Sequence, residues 1–274
     1  MTDRMEHHLL SHRTIMTLGS DASKGATMFS LRPQHLTGVS SVVTRLRTAI
    51  DLGFFEDGEM LPKEATLSKE LHVAAFTLRE ALSELRSEGL VDTKPGRGGG
   101  TFVQRRSSVA HDKAELRLKD ISATALRDLS DWKAMLLGEA AELAASRASP
   151  SNIARLREYC DRVLNAKSSI AACRAHARFD IELAAAAQSV RLSSAALQIY
   201  EEYSWLLALA HEDQEYTEDC AQTLAAVTQL VSQRSAHEAG LLARDRTRVS
   251  FQSLGKKRLR LIASQAQSPE PRRT

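Results

Sequence analysis

The segment from Leu71 to Val103, LHVAAFTLREALSELRSEGLVDTKPGRGGGTFV, constrains the fold of this chain more than any other part. From Ala75 to Glu88 the apolar residues recur at the spacing of an amphipathic helix. Gly89 ends this helix, and two short β-prone runs, Leu90–Lys94 and Thr101–Gln104, follow around a glycine-rich turn. The order helix, strand, turn, strand predicts a helix closed by a β-hairpin.

Two more helices are predicted before this segment. One covers about 42–50 and ends at Gly53, and the other begins near Pro62 and runs to Leu71. A tight turn at His72-Val73 separates the second from the helix at 75–88. Three helices and a hairpin form a winged helix-turn-helix, in which the helix after the turn enters the major groove of DNA. We therefore predict a DNA-binding unit over residues 38–106, preceded by a disordered tail over 1–37.

The rest of the chain is dominated by alanine and leucine, which favour helices. The charged segment 107–122 has no firm apolar pattern and is predicted to be a linker. Between 123 and 265 few glycines or prolines interrupt the helical periodicity, so we predict a bundle of roughly six helices. Ser149-Pro150 is the predicted start of its second helix, and 266–274 is a predicted disordered tail. The predicted fold class is mainly α: an N-terminal winged helix-turn-helix followed by an all-helical bundle.

Several classes of protein are excluded by what the sequence lacks. No apolar run approaches the roughly 18–20 residues of a membrane span, so no membrane partner is expected. The three cysteines have no CxxC spacing, which favours reduced thiols in a cytoplasmic protein. GxSxG, P-loop, HExxH and Rossmann motifs are absent, so the chain is not predicted to be an enzyme. The net charge of +3 favours no particular partner.

Arg79 is the first candidate DNA contact. It lies in the first turns of the predicted recognition helix, opposite the buried leucines, where a guanidinium can donate two hydrogen bonds to guanine. The alternative is that Arg79 pairs with Glu80 or Glu84 on a solvated helix face. Because EGLV and a basic hairpin follow this helix, we favour the DNA contact.

The wing, which we define as residues 90–106, supplies the second set of contacts. Its turn, PGRGGG, has so little side-chain bulk that backbone N–H groups can approach phosphates closely. Residues 37–106 contain ten basic and ten acidic residues, so their net charge does not favour DNA, but four bases lie in the wing beside a single acid, Asp92. The basic residues of the wing are Lys94, Arg97, Arg105 and Arg106. The predicted DNA contacts are Lys63, Thr77, Arg79, Lys94, Arg97, Gly98 and Gly99.

These motifs resemble the GntR family of bacterial transcriptional regulators over about sixty-five residues. The resemblance is carried by LPKE at 61–64, TLREAL at 77–82, EGLV and the glycine turn. The family has DNA-contacting arginines at three places, of which Arg79 is present. Ala65 stands where one arginine is usual, and Ala74-Ala75 replaces the usual Ser-Arg. The resemblance therefore implies DNA binding with an altered operator sequence, and we hypothesise that Lys63, Thr77 and the wing compensate.

The helical half resembles the FadR-type subfamily, whose C-terminal domain is all-helical, binds a ligand and forms the dimer. The similar stretches are Asp131-Trp132 through Arg147, and Arg178-Phe179-Asp180. The resemblance implies a homodimeric, ligand-responsive repressor that binds a near-palindromic operator. The alternative is a helical scaffold protein whose winged helix binds protein instead of DNA.

A divalent metal is held in many members of this subfamily by an aspartate, a histidine four residues later and two further histidines. Here His176 and Asp180 keep that spacing in swapped order, and Leu224 and Arg246 fall where the other histidines would be. Two donors are too few for stable coordination, so we predict no metal and no other cofactor. Either His176 and Asp180 form a polar pair, or Arg246 replaces the charge of the metal and binds the carboxylate of a small organic acid. The predicted ligand-binding residues are His176, Asp180 and Arg246.

The remaining histidines and aromatic residues of the bundle carry no motif. His211 and His237 have no partners at a recognisable spacing and are expected to be exposed or to cap helices. Tyr200, Tyr203 and Trp205 are expected to form core or dimer contacts, although their helix could also line a pocket.

The compensating role of the wing leads to a first prediction. Replacing Arg97 by alanine is expected to weaken operator binding in a gel-shift assay about as much as replacing Arg79, because the wing carries phosphate contacts that other members place elsewhere. Unchanged affinity of the Arg97→Ala protein would contradict the hypothesis.

Overall fold

The computed structural model of this chain describes residues 38–96, 99–104 and 109–266, without the side chains of 109–113, 265 and 266. These residues form two compact units, divided between 106 and 107. The predicted N-terminal tail and most of the C-terminal one lie outside the described residues, as do four predicted wing residues. Those four are Arg97, Gly98, Arg105 and Arg106.

Over residues 38–96 and 99–104, the first unit consists of three helices and a two-stranded antiparallel sheet, as the sequence predicts. In the sheet, Val91 pairs with Val103 and Lys94 with Gly100. The elements are α1 (Val39–Asp51), α2 (Glu64–Leu71), α3 (Ala75–Ser87), β1 (Val91–Lys94) and β2 (Gly100–Val103).

The core of the first unit follows directly from the apolar periodicity of α1 and α3. Leu78 and Leu85 of α3 are fully buried, as are Leu46 and Ala49 of α1. The turn between α2 and α3 is made by His72, whose left-handed backbone (φ 56°) ends α2. The tight turn predicted at this position is therefore present, and it sets the direction of α3 relative to α2.

The second unit contains seven helices within the described residues. Ser149 and Asn152 form a reciprocal capping box with Pro150 in the first turn, at the helix start that the sequence predicts. None of the described helices is long and apolar enough to cross a membrane. The helices are α4 (Val109–Asp120), α5 (Ala123–Arg147), α6 (Pro150–Leu164), α7 (Ser169–Ala186), α8 (Val190–Ala210), α9 (Gln214–Ser232) and α10 (Ala236–Ala266).

The predicted linker over 107–122 is wrong, because α4 occupies most of it. Ala114 and Leu118 are buried in an apolar cluster of the second unit, with Ile121 packed against it. Their spacing of four and three residues is helical, but the surrounding charges hide it in the sequence. Arg258 of α10 also donates a hydrogen bond from Nε to the carbonyl oxygen of Ile121 (2.7 Å). The segment from Val109 to Ile121 is therefore part of the helical unit.

Two glycines allow α5 and α10 to pack closely. A Cβ atom on Gly138 would lie 2.4 Å from the side chain of Arg244, and one on Gly240 would lie 2.4 Å from that of Glu142. Arg244 and Glu142 pair with each other across the helices (2.6 Å). Each glycine costs roughly 1 kcal/mol of helix propensity relative to alanine. The close contact of the two helices explains why glycine occurs at both positions.

The packing of the bundle leads to a stability prediction. Phe179 is fully buried in the main apolar cluster, so Phe179→Ala should lower the free energy of unfolding by about 3–5 kcal/mol. Met135 is 62% exposed on α5, and Met135→Ala is a matched control that should change it by less than about 0.5 kcal/mol. Denaturant unfolding measures both values, and a loss below about 1 kcal/mol for Phe179→Ala would contradict the described core.

Candidate functional sites

The exposed face of α3 is the candidate DNA-reading surface. Phe76, Arg79, Glu80 and Ser83 are exposed on it, opposite the buried leucines, and Thr77 is half-buried at its side. Ala74 precedes α3 without a side-chain cap, so the first N–H groups of the helix have no side-chain acceptor. Such N–H groups are suited to bind a phosphate of the DNA backbone.

Arg79 is paired with an acid other than Glu80 and Glu84, the two that its own helix offers. Its Nε donates a hydrogen bond to Oε2 of Glu64 on α2 (2.9 Å), and neither Glu80 nor Glu84 pairs with it in the described structure. The Arg79 side chain is still 68% exposed, so the ion pair adds little stability. The pair orients the guanidinium through Nε. The two terminal amino groups can then donate to an acceptor such as guanine.

The wing and the start of α2 add two exposed lysines to this unit. Lys63 precedes α2, and the Nζ of Lys94 lies 4.9 Å from the centre of the Phe102 ring. Gly99 was predicted to contact DNA, but its N–H donates to the carbonyl oxygen of Gly96 (2.8 Å). A Cβ atom on Gly99 would also lie 2.2 Å from the carbonyl oxygen of Lys94. Closure of the turn requires glycine there, and the Gly99 N–H is not free to bind phosphate.

A buried ionic cluster in the second unit surrounds Asp180, which is fully buried on α7. Arg246 donates from Nη2 to Oδ1 of Asp180 (2.6 Å), and Lys133 lies 3.1 Å from Oδ2. The hydroxyl of Tyr200 also donates to Oδ2 (2.5 Å), and Lys133 donates to that hydroxyl oxygen (2.9 Å). Side chains from α5, α7, α8 and α10 therefore meet at one carboxylate.

The charges of this cluster shift the pKa values of its members. Burial alone would raise the pKa of Asp180, but the charges of Arg246 and Lys133 outweigh it and hold this pKa well below its usual range. Burial lowers the pKa of the Lys133 ammonium, an effect that Asp180 partly opposes. Asp180 is therefore ionised, and it is the acceptor around which the cations are arranged.

A chain of hydrogen bonds leads away from Arg246 through two histidines. Arg246 donates from Nη1 to Nε2 of His176, so we assign the ring proton of His176 to Nδ1. This Nδ1 donates to Nε2 of His211 (2.9 Å), and Nδ1 of His211 donates to the hydroxyl of Thr217 (3.0 Å). The hydroxyl donates in turn to the carbonyl oxygen of Asp213 (3.0 Å). The direction of the whole chain is set by the guanidinium, which can only donate.

Both histidines are neutral in this arrangement. Burial is the main cause, and the charge of Arg246 also lowers both pKa values, to about 4 for His211 and well below the usual range for His176.

The metal of the subfamily does not fit these residues. His176, His211 and Cys220 place ligand atoms within 4.8 Å of one another. However, Nε2 of His176 already accepts from Arg246, so coordination through Nδ1 would leave this ring without a proton. Burial also raises the pKa of the Cys220 thiol to about 11, which keeps it protonated. Asp180 is already paired with two cations, and Leu224 lies in the apolar core.

The structure brings together the three predicted ligand-binding residues and adds four that the sequence analysis missed. The added residues are Lys133, Tyr200, His211 and Cys220. His211 does end α8, as expected of a capping histidine, but it is buried and has ring partners. Lys133 had a signal in the sequence, since it interrupts the inward stripe of α5 between Leu129 and Leu136.

The neutral histidines lead to a prediction on pH. The pKa of His211 is about 4 in the folded protein and 6.5 without the fold, so the unfolded state binds more protons between these values. The free energy of unfolding should therefore fall as the pH is lowered from 6.5 to 4, by up to about 3 kcal/mol for this residue. His211→Gln should remove that part of the dependence, measured by denaturant unfolding at several pH values. His237→Gln, at an exposed histidine, is the control, and an identical pH dependence in all three proteins would refute the assignment.

Comparison with known families covers both units. The profile described as "Bacterial regulatory proteins, gntR family" matches residues 39–103, from α1 to the end of β2. The profile described as "FCD domain" matches residues 128–247, which include every member of the Asp180 cluster. The family and the subfamily that the sequence motifs indicated are thereby confirmed.

Relatives of this chain are transcription regulators by name. A Mycobacterium gastri protein with the provisional name HTH-type transcriptional regulator RmpR is 35% identical over 195 residues, which are 69% of this chain and 71% of that protein. An Escherichia coli K12 protein with the provisional name L-lactate dehydrogenase operon regulatory protein is 32% identical over 168 residues, 58% of this chain and 62% of that protein. The Glc operon transcriptional activator of Escherichia coli K12 is 31% identical over 123 residues, 45% of this chain and 47% of that protein. With the winged helix-turn-helix and the helical FCD domain in place, this chain belongs to the GntR family of DNA-binding transcriptional regulators.

Proposed function

We propose that this protein is a cytoplasmic, ligand-responsive repressor that binds a near-palindromic operator as a homodimer. We further propose that its helical unit senses a small organic acid without a metal. The observation that carries the second part is the unequal charge of the Asp180 cluster, in which two buried cations share one carboxylate.

The proposed operator contacts come from the first unit. Arg79, oriented by Glu64, would read guanine in the major groove, with Thr77 beside it and Lys63 and Lys94 on phosphates. Residues 37–106 carry ten basic and ten acidic residues, so one copy has little net attraction for DNA. A dimer doubles the phosphate contacts and places two recognition helices on half-sites about one helical turn apart.

The proposed effector site follows from the charge of the cluster. The Lys133 and Arg246 side chains are 7% and 4% exposed, and in the described part of the chain Asp180 is the one carboxylate that pairs with them. A buried cation without a counter-charge is unfavourable, so a second carboxylate would be stabilised here. Nε of Arg246 is also buried and has no hydrogen-bond partner among the residues that the structure describes. An organic acid would supply both the missing charge and the missing acceptor.

The space next to the cluster suggests how binding could produce a signal. A cavity of about 20 Å³, lined by Lys133, Tyr200 and Ser250 among others, has room for about one water molecule. An organic acid could enter only if helices of the bundle moved apart. It would then bind an opened state more tightly than the closed one, and such differential affinity is what links an effector to a conformational change.

The names of the relatives give a first acid to test. One relative is named for an operon of L-lactate dehydrogenase, and L-lactate is a small hydroxy acid. Its size and charge match the requirement for one additional carboxylate. We therefore place L-lactate first in a panel of hydroxy, keto and dicarboxylic acids.

The proposal predicts that an acid of this panel weakens operator binding by tenfold or more, and that Lys133→Met abolishes the response. Lys133→Met should still bind operator, because Arg246 continues to neutralise Asp180. The measurement is a fluorescence titration with DNA selected by the protein from a random pool, repeated after chelator treatment, which should change nothing. Arg244→Met removes a cation from the partly exposed Glu142 pair and is the matched control, which should respond like the wild type.

Three results would contradict the proposal. They are a response that chelator removes, a full response in Lys133→Met, and the absence of a response to every acid in the panel. Sedimentation of the same protein with one operator duplex tests the dimer separately, since a single chain on each duplex would refute it. Binding that does not weaken steeply with salt would argue against operator contacts altogether.

A further inference from the structure

An aromatic side chain stands exposed at the start of the recognition helix α3. Phe76 is 69% exposed, the largest fraction among the large apolar side chains in the described part of the chain. Its ring leaves a large apolar area in water, and a contact that covered this area would be favourable. Phe76 was not among the DNA contacts predicted from the sequence, because its side chain has neither charge nor hydrogen-bonding groups.

The position of Phe76 relates it directly to Arg79. The two residues are three apart on α3, so they lie on the same face of the helix, and both are exposed. The two residues that precede Phe76, Ala74 and Ala75, are small and exposed, so neither offers a long side chain that could cover the ring. Three residues of helix span about 4.5 Å, and base pairs are spaced by about 3.4 Å. Side chains at these two positions would therefore reach base pairs one or two steps apart.

The chemistry of the ring selects one base. Among the four bases, thymine alone presents a methyl group in the major groove, and apolar side chains such as phenylalanine contact it. A phosphate or a base-edge donor offers nothing that the Phe76 ring could use in place of water. We propose that Phe76 reads the 5-methyl group of a thymine one or two base pairs from the base that Arg79 contacts. This inference rests on the proposed placement of α3 in the major groove.

The test removes the methyl group from the DNA and the ring from the protein. In the selected operator, each thymine of one half-site is replaced in turn by uracil, which differs only in lacking the 5-methyl group. At one position the wild type should lose about fourfold in affinity, the effect of burying one methyl group. Phe76→Ala should bind the thymine and uracil operators equally, and Phe76→Leu should keep part of the difference.

Two further measurements separate a base contact from other roles of Phe76. Thermal unfolding of Phe76→Ala should match the wild type, because the side chain is exposed. The slope of log affinity against log salt should also be unchanged, whereas Lys94→Ala should reduce this slope and keep the uracil effect.

The inference is overturned if no uracil substitution weakens the wild type, or if Phe76→Ala shows the same uracil effect. It is equally overturned if Phe76→Ala changes the oligomeric state instead of the base preference, since the ring would then be a protein contact. Failure of the wild type to bind any selected DNA would refute the operator proposal itself, which is a distinguishable result.

Discussion

The carboxylate of Asp180 is the contact on which the organisation of the helical unit depends. It accepts from Arg246, Lys133 and Tyr200, so that four helices are joined at one fully buried group. Ionised groups are costly to bury without partners, and removing one partner of a buried pair typically costs more than the pair itself stabilises. The cluster therefore fixes which residues of the four helices face one another, even where its net contribution to stability is small.

The same cluster determines the protonation of its neighbours. A guanidinium can only donate, so Arg246 requires His176 to accept, and each later donor in the chain to Thr217 follows from that requirement. A divalent ion would need lone pairs that this arrangement has already used. The poor fit of these residues to the subfamily's metal therefore follows from the presence of Arg246 as well as from the missing histidines.

Much of the fold could be predicted from the sequence, because α1, α3 and the hairpin have clear periodicity and turn residues. His176, Asp180 and Arg246 were found through their spacing and a family resemblance. Lys133 and Tyr200 were not, since their partnership joins positions 67 residues apart. Lys133 interrupts the apolar stripe of α5, but this interruption does not indicate which residue it contacts. The pairing of Arg79 with Glu64 could not be predicted for a similar reason, because it joins positions 15 residues apart on two different helices.

The long helix α10 connects the Asp180 cluster to the hydrogen bond between Arg258 and Ile121. Arg246 and Arg258 lie on one continuous helix, about 18 Å apart along its axis. A tilt of about five degrees with Arg246 as pivot would displace Arg258 by roughly 1.6 Å at that length. A tilt of α10 produced at the Asp180 cluster would therefore also displace the contact between Arg258 and Ile121, at the junction of α4 and α5.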